Sequence, residues 1–221
     1  MAQRTIGILG LGVFGQSVLE ALKDQQVDLI AIDDHEEVIN QYEGDLAVGI
    51  VGDFTDLDLL EAADIGNCDT VVIATGESLE SSVLAVMHCK ALGVETVIAK
   101  VKNQVTQQVL EKVGADLVIL PEVEVGISLA KTIFFNHLVE VYQLDEDVVM
   151  VELPVPPAWI GKTVGEIAAR SAHNLNIIGY REDEKGSLHS QLTPDFVWSQ
   201  GQYLMGVTNN HSLADLQQLV K

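Results

Sequence analysis

Three glycines near the start of the chain have the spacing of a phosphate-binding loop. Gly10, Gly12 and Gly15 follow a short apolar, β-branched run and precede an amphipathic stretch. In such a strand–turn–helix the first glycine permits the tight turn, the second lets a phosphate reach the backbone N–H groups, and the third lets the helix pack on the sheet. Val13 and Phe14 would lie beside the same phosphate. The spacing alone is common, so its position directly after a predicted strand carries the prediction.

Acidic and hydroxyl side chains follow the next two predicted strands. Asp33 ends the second strand, where a carboxylate can accept both hydroxyls of an adenosine ribose. Asp33 and its neighbour Asp34 could instead cap the following helix. Asp53, Phe54 and Thr55 follow the third strand, at the edge where an adenine ring would lie, and Thr55 could equally cap the next helix. These residues predict a nucleotide site at the carboxyl ends of the strands.

Residues after the fourth, fifth and sixth strands would complete that site. Thr75 and Gly76 follow the fourth strand, and Gly76 is consistent with backbone that passes close to a ligand. Lys100 and Lys102 are two of only 12 basic side chains in the chain, and cations beside a phosphate site are easily explained, although solvated lysines remain the alternative. A carboxylate at Glu122 would face phosphates only across a divalent cation, and a surface glutamate is the simpler reading.

The order of the predicted elements places these residues on one sheet. Short β-branched runs alternate with longer amphipathic runs up to Pro121, which is typical of βαβ units and predicts a doubly wound, parallel, Rossmann-like α/β sheet. Gly93 and Gly114 each precede a strand and are expected to end helices in a positive-φ conformation. The predicted strands are Thr5–Leu9, Val27–Ile32, Leu46–Val51, Thr70–Ala74, Val94–Lys100 and Leu117–Leu120.

A single amphipathic helix is predicted from Val123 to Tyr142, after the last of these strands. Phe134 and Phe135 on a linking helix would need cover. The helix could pack on its own sheet or carry a dimer interface, and the sequence does not choose between the two.

The pattern changes near residue 145 to a small α+β lobe. Capping-box sequences at Thr163–Glu166 and Ser212–Asp215 predict two helix starts. The expected domains are a nucleotide-binding lobe over 1–122, a crossover helix over 123–145 and a C-terminal subdomain over 146–221. The predicted strands of the subdomain are Val148–Leu153, Asn176–Arg181 and Gln202–Thr208.

Composition excludes several classes of function. With 33 acidic and 12 basic side chains the net charge is −21, which opposes binding to nucleic acid. Cys68 and Cys89 are expected to be reduced thiols of a cytoplasmic protein. The start of the chain lacks a signal-peptide pattern, and the longest apolar tract, Val125–Phe135, is too short to span a bilayer, so direct membrane insertion is not expected. Without HExxH, GxSxG or a nucleophile motif, the residues indicate binding and sensing, not catalysis.

Taken in order, these segments resemble the RCK (regulator of potassium conductance) family, in particular the Ktr- and Trk-type regulatory subunits of bacterial potassium uptake. The resemblance covers essentially the whole chain, with TrkA-N-like and TrkA-C-like parts. The segments that carry it are Ile8–Gly15, Ala31–Asp33, Ala99–Asn103, Val109–Asp116, Pro121–Glu122, Ile160–Thr163 and Asn176–Tyr180.

This resemblance implies a first lobe that binds ATP, ADP or NAD(H) and a crossover helix that pairs subunits. It also implies an octameric ring that docks on the inner face of an integral-membrane potassium-translocating subunit, which nucleotide exchange would gate. The implied ligand contacts are Gly10, Gly12, Gly15 and Lys100 to phosphates, Asp33 to the ribose, Asp53 and Thr55 to the adenine side, Thr75 and Gly76 to the nucleotide edge, and Glu122 to Mg²⁺ or Ca²⁺. In some relatives the C-terminal lobe binds a cyclic dinucleotide, for which Arg170 and Asn176 are the matching positions.

One position departs from the family pattern. Many Ktr-type relatives have arginine inside the glycine motif, where it reaches the γ-phosphate of the neighbouring subunit's nucleotide, whereas this chain has Val13. The loss of a charge-assisted contact of about 1.5–3 kcal/mol predicts poor discrimination between ATP and ADP, or a shift toward ADP or NAD(H).

Two other functions remain open from the sequence. An NAD-dependent dehydrogenase could use the same crevice, but it would need a proton donor such as His173, His189 or His211 at the nicotinamide. A regulator of a different cation transporter would differ only in its partner, so the chain itself does not exclude it.

Overall fold

The computed structural model describes residues 4–76, 78–134 and 140–220, and the chain divides into two compact units after Val123. The first unit alternates strands and helices. Its elements are β1 (Arg4–Leu9), α1 (Val13–Leu22), β2 (Val27–Asp33), α2 (Glu36–Gln41), β3 (Val48–Val51), α3 (Leu57–Ala62), β4 (Thr70–Ile73), α4 (Leu79–Ala91), β5 (Thr96–Lys100), α5 (Gln104–Val113), β6 (Leu117–Ile119) and the start of α6 (Pro121–Phe134).

The first unit is built on a six-stranded sheet in the order β3-β2-β1-β4-β5-β6. Every neighbouring pair is parallel, which confirms the predicted doubly wound, Rossmann-like fold. The strand order reverses between β1 and β4. In open sheets of this class the carboxyl ends of the strands on either side of such a reversal enclose a crevice.

Helices cover both faces of this sheet because its central strands are apolar on both sides. Ile8 and Leu9 are neighbours on β1, both fully buried, and they belong to different core clusters, as the alternation of side chains along a strand requires. One cluster contains Leu19 of α1 and Ile39 of α2. The other contains residues of α3, α4 and α5.

The second unit is an antiparallel sheet with short helices. Its elements are β7 (Glu140–Gln143), β8 (Val148–Pro154), α7 (Val164–Ile167), α8 (Ala169–His173), β9 (Asn176–Arg181), β10 (Tyr203–Asn209) and α9 (Leu213–Leu219), with the strand order β7-β8-β10-β9. Trp198, Leu153 and Leu204 are central to its core. The predicted small α+β lobe therefore has a hydrophobic core of its own.

The prediction of one helix from Val123 to Tyr142 is wrong at its C-terminal end. Helix α6 covers Pro121–Phe134, and Glu140–Gln143 is strand β7. Buried Val141 pairs with Val151 of β8, so pairing and burial of a β-branched residue outweigh a helical spacing that includes it. Phe135 and the rest of 135–139 lie outside the described residues. No helix in the described part of the chain is both long and apolar enough to cross a membrane.

The predicted helix caps are only partly correct. Thr163 and Glu166 form a complete capping box at α7, and Gly93 and Gly114 have the expected positive φ. The capping box predicted at Ser212 is wrong. A 3₁₀ turn precedes α9, and the side chain of Asn209 accepts the hydrogen bond from the Ser212 N–H at 2.9 Å, so the capping residue lies three positions earlier.

Gly15 and Gly12 offer a test of why the loop after β1 needs glycine. A Cβ at Gly15 would lie 2.0 Å from the carbonyl oxygen of Gly10, whereas a Cβ at Gly12 would meet no atom of the described residues within 4 Å. We expect Gly15→Ala to lower the free energy of unfolding by about 1–3 kcal/mol, because the loop or α1 must shift. Gly12→Ser should change it by less than about 0.5 kcal/mol, since serine is favoured at a helix N-cap. Denaturant titration measures both, and equal losses would contradict the steric explanation.

Candidate functional site

A cleft of about 940 Å³ lies at the carboxyl edge of the parallel sheet. It is lined by the loops that follow β1, β2, β3, β4 and β5 and by the first turn of α6. The reversal of strand order between β1 and β4 falls inside this group of loops. The cleft therefore occupies the position predicted for a ligand site from the strand pattern.

The glycine loop forms the wall of the cleft at β1. Gly10 has a φ of +92° and donates its N–H to the carbonyl of Ile32 at 2.8 Å, which ties the loop to β2. Gly12 is the N-cap of α1. Because no atom of the described residues would lie within 4 Å of a Cβ at Gly12, their packing does not require a glycine there, and the position leaves room for a ligand to approach the N–H groups at the start of α1.

Asp33 is a buried carboxylate at the end of β2, only 7% exposed. One of its oxygens accepts the N–H of Leu11 at 2.5 Å, and the other accepts the N–H of His35 at 2.9 Å. Burial alone would raise the pKa of Asp33, but these backbone hydrogen bonds and the His35 ring lower it below its usual value. The group is therefore an ionised acceptor at neutral pH, as ribose recognition requires.

His35 lies against Asp33 and was not predicted from the sequence. Its Nδ1 atom is 2.9 Å from Asp33 Oδ1 and 2.6 Å from Asp34 Oδ1. The hydrogen bond to Asp33 and the charges of Asp34 and Asp33 raise the pKa of His35. Gln16 and Ser81 also line the cleft without having been predicted. The signal for His35 was its place two residues after the end of β2, whereas Gln16 and Ser81 lie inside helices, where the sequence gave no signal for a ligand site.

Asp53 and Phe54, after β3, line the cleft, but Thr55 does not. The Thr55 N–H and hydroxyl both donate to Asp53 Oδ1, at 2.8 and 2.7 Å, and these bonds lower the pKa of Asp53. The alternative role of Thr55 as a helix cap is wrong, because Asp56 caps α3. Thr55 thus positions Asp53.

Lys100 and Glu122 form an ion pair at the opposite side of the cleft. Lys100 Nζ is 2.5 Å from Glu122 Oε1, and the lysine side chain is only 12% exposed. The same nitrogen lies 5.9 Å from the centre of the Phe14 ring. The hydrogen bond from Lys100 is the main cause that lowers the pKa of Glu122. A largely buried cation is therefore held next to the glycine loop, with a carboxylate of α6 as its partner.

Most of the residues named from the sequence line this one cleft. Gly15 does not, because it packs behind the loop against Gly10. Glu122 is the single carboxylate named as a metal ligand, and one carboxylate bound to a lysine is a poor divalent site by itself. The named residues in the lining are Gly10, Gly12, Val13, Phe14, Asp33, Asp34, Asp53, Phe54, Thr75, Gly76, Lys100, Lys102 and Glu122.

The two residues named for a second ligand lie together in the second unit. Arg170 of α8 and Asn176 of β9 line a cavity of about 410 Å³. Apolar side chains, among them Val164, Leu175 and Ile177, form much of its wall. A guanidinium and an amide beside apolar surface are suited to a ligand with both phosphate and base.

Comparisons with known proteins agree with the fold and with the family resemblance. The TrkA-N domain family model matches residues 6–121. Ktr system potassium uptake protein C of Bacillus subtilis is 30% identical over 183 residues, covering 83% of this chain and 83% of that protein. Ktr system potassium uptake protein A of Vibrio alginolyticus is 29% identical over 178 residues, covering 80% and 81%.

Solved structures with the same fold include the GsuK RCK domain and the GsuK channel bound to NAD. The TM-score is 0.66 for each, with 22% and 21% identity. They align with 99% and 100% of this chain but with only 48% and 40% of theirs, so this chain spans less than half of their length. At these identities the likeness shows the fold alone. With the family match and the sequence relatives, the resemblance drawn from the motifs is confirmed, and the chain belongs to the TrkA-N family, in the RCK group of Ktr- and Trk-type potassium uptake regulatory subunits.

Proposed function

We propose that the first unit binds an adenine nucleotide, ATP, ADP or NAD(H), and that the chain thereby regulates an integral-membrane potassium-translocating subunit. The observation that carries this proposal is the pairing of Asp33 with the glycine loop. The ionised carboxylate lies in the same cleft as the N-terminus of α1, and the two are joined by the Leu11 N–H. One element suits a ribose and the other suits a phosphate.

A nucleotide would lie across the carboxyl ends of the strands. Its phosphates would contact the N–H groups that follow Gly12, its ribose would contact Asp33, and its adenine would lie toward Asp53 and Phe54. Further phosphates, or the second half of a dinucleotide, would extend toward Thr75, Gly76 and Lys100. The cleft volume of about 940 Å³ is within the range of sites for ligands of this size.

The relatives support the choice of partner and ligand. The two sequence relatives described above are named as potassium uptake proteins, and one structural neighbour is a channel bound to NAD. We therefore propose a cytoplasmic chain, paired through α6 and assembled into an octameric ring, that associates with the membrane through its transporter subunit. Phe134 and Ile133 of α6 are exposed within the single chain, and this supports the pairing.

The Lys100–Glu122 pair supports a route from ligand to transporter. A phosphate that attracts Lys100 would compete with Glu122, which lies in the first turn of α6. Because α6 continues past Val123, a change at its first turn is a change at the link between the units. A ligand shifts such an equilibrium only by its difference in affinity for the two states.

We propose two further ligands, one at Glu122 and one at Arg170 and Asn176. A released Glu122 carboxylate could hold Mg²⁺ or Ca²⁺ if nucleotide phosphates supply the other oxygens, since these ions need about six oxygen ligands. The cavity at Arg170 and Asn176 could hold a cyclic dinucleotide. Its wall combines a guanidinium with apolar side chains, and this is the support for that second site.

Asp33→Asn should weaken binding of ADP, ATP and NAD⁺ by about tenfold to a hundredfold, because charge-assisted hydrogen bonds to the ribose are lost. Asp45→Asn, outside the residues that line the cleft, is the matched control and should bind as the unchanged protein does. Isothermal titration measures the affinities, and thermal unfolding without ligand verifies that each variant is folded. Equal affinity of Asp33→Asn and Asp45→Asn would refute the role of Asp33.

ATP and ADP should bind with affinities within about tenfold of one another, because Val13, which is 87% exposed at the start of α1, has no charge to offer a γ-phosphate. Val13→Arg should raise the preference for ATP by about tenfold. Competition titrations on the assembled protein measure both ratios. A native preference for ATP above about a hundredfold would show that another group reads the γ-phosphate.

Regulation of transport should depend on the cleft. In liposomes that contain a Ktr-type membrane subunit, addition of the protein should make potassium flux respond to nucleotide, and Asp33→Asn should lower this response by about tenfold at subsaturating nucleotide. Asp45→Asn again serves as the control. If potassium flux responded equally to nucleotide with both variants, the regulation of transport would not depend on this site.

A further inference from the structure

The carboxylate of Asp33 has few acceptor positions left for a ribose. An ionised carboxylate offers about four lone-pair positions. Three hydrogen bonds already occupy Asp33, from the Leu11 N–H, the His35 N–H and the His35 ring. A ribose that donates both of its hydroxyls would need two positions, so one of the existing donors has to leave.

Of these three donors, only the His35 ring can leave at small cost. The Leu11 and His35 N–H groups belong to backbone fixed by the glycine loop and by the start of α2. The imidazole turns about side-chain bonds and is 73% exposed. It does not cap α2, because the N-cap His35 makes no side-chain capping hydrogen bond, so its movement leaves the helix start intact.

We propose that the His35 imidazole competes with the ribose hydroxyls of a bound nucleotide for Asp33. This histidine therefore limits the affinity of the site for the nucleotide and makes that affinity depend on pH. The inference rests on the nucleotide site proposed above. Asp34 gives the displaced ring an alternative partner, since its Oδ1 is already 2.6 Å from the same nitrogen. The ring can thus swing from one carboxylate to the other when the ligand enters.

The charges around the ring determine the direction of the pH effect. The hydrogen bond to Asp33 and the charges of Asp34 and Asp33 raise the pKa of His35 in the ligand-free protein. Displacement from Asp33 removes part of this effect, so the bound form holds the proton less tightly and binding releases protons. Affinity should therefore be lower in acid and rise through the interval from about pH 6.5 upward. The other charged groups of α2 and of the cleft wall are Glu36, Glu37, Asp53, Lys100, Lys102 and Glu122.

The test is isothermal titration of ADP and of NAD⁺ between about pH 5.5 and about pH 8.5. The proteins compared are the unchanged chain, His35→Ala, His35→Asn and the control His211→Asn, which alters an exposed histidine of the second unit. NAD⁺ is included because its diphosphate bridge stays ionised over this interval, whereas the terminal phosphate of ADP titrates. For ADP, that titration is common to all four proteins and cancels in their comparison.

For the unchanged chain and for His211→Asn we expect affinity for NAD⁺ to rise about three- to tenfold across the interval. His35→Ala should bind about as tightly at acid pH as the unchanged chain does at alkaline pH, and both His35 variants should have flat profiles. Titrations of NAD⁺ in two buffers of different ionisation enthalpy should show that binding releases protons from the unchanged chain and none from His35→Ala.

Parallel profiles for the unchanged chain and His35→Ala would overturn the competition, as would a variant weaker at every pH, which would make His35 a support for the ligand. In both cases binding itself would persist, and the proposed function would stand. Failure of all four proteins to bind either ligand would instead remove the proposed function, and the inference with it. Thermal unfolding of each variant separates loss of binding from loss of fold.

Discussion

The hydrogen bond from the Leu11 N–H to Asp33 is the interaction on which the rest of the site depends. It joins the loop after β1 to the end of β2, two segments that parallel pairing brings to one edge of the sheet. This bond lowers the pKa of the buried Asp33 carboxylate, and it also holds the glycine loop in place. The proposed phosphate position and the proposed ribose position are thereby fixed relative to one another in the ligand-free protein, which lowers the entropy cost of binding.

Two largely buried charged groups of the cleft, Asp33 and Lys100, each have a partner within the chain. The His35 ring hydrogen-bonds to Asp33 on one side of the cleft, and Glu122 forms an ion pair with Lys100 on the other. Leaving such groups unpaired where they are buried would be costly. Under the proposed function, ligand contacts would replace both pairs, so ligand entry would move the side chain of His35 at the N-cap of α2 and that of Glu122 in α6.

The sequence predicted the first unit better than the second because parallel βαβ units have a strong local signature. Buried strands, amphipathic helices and glycines that end helices recur in order. The residues after each strand end predict one part of the cleft wall. Two predictions failed in the second unit. Val141 fits a helical spacing but pairs in a sheet, and Ser212 fits a capping sequence but is the last residue of a 3₁₀ turn that Asn209 caps. Strand pairing outweighed the helical spacing in the first case, and a capping side chain three residues earlier replaced the predicted one in the second.

By itself the sequence determined the fold class, the glycine loop and the acidic strand end, because strand period, turn residues and helix starts are local properties written in neighbouring residues. Only the tertiary structure decided which of those residues share the cleft and what already holds them. That the Leu11 N–H reaches Asp33 and that Lys100 pairs with Glu122 follow from distances of a few ångströms between groups far apart in the chain. Such distances depend on how strands and helices pack, which no local pattern encodes.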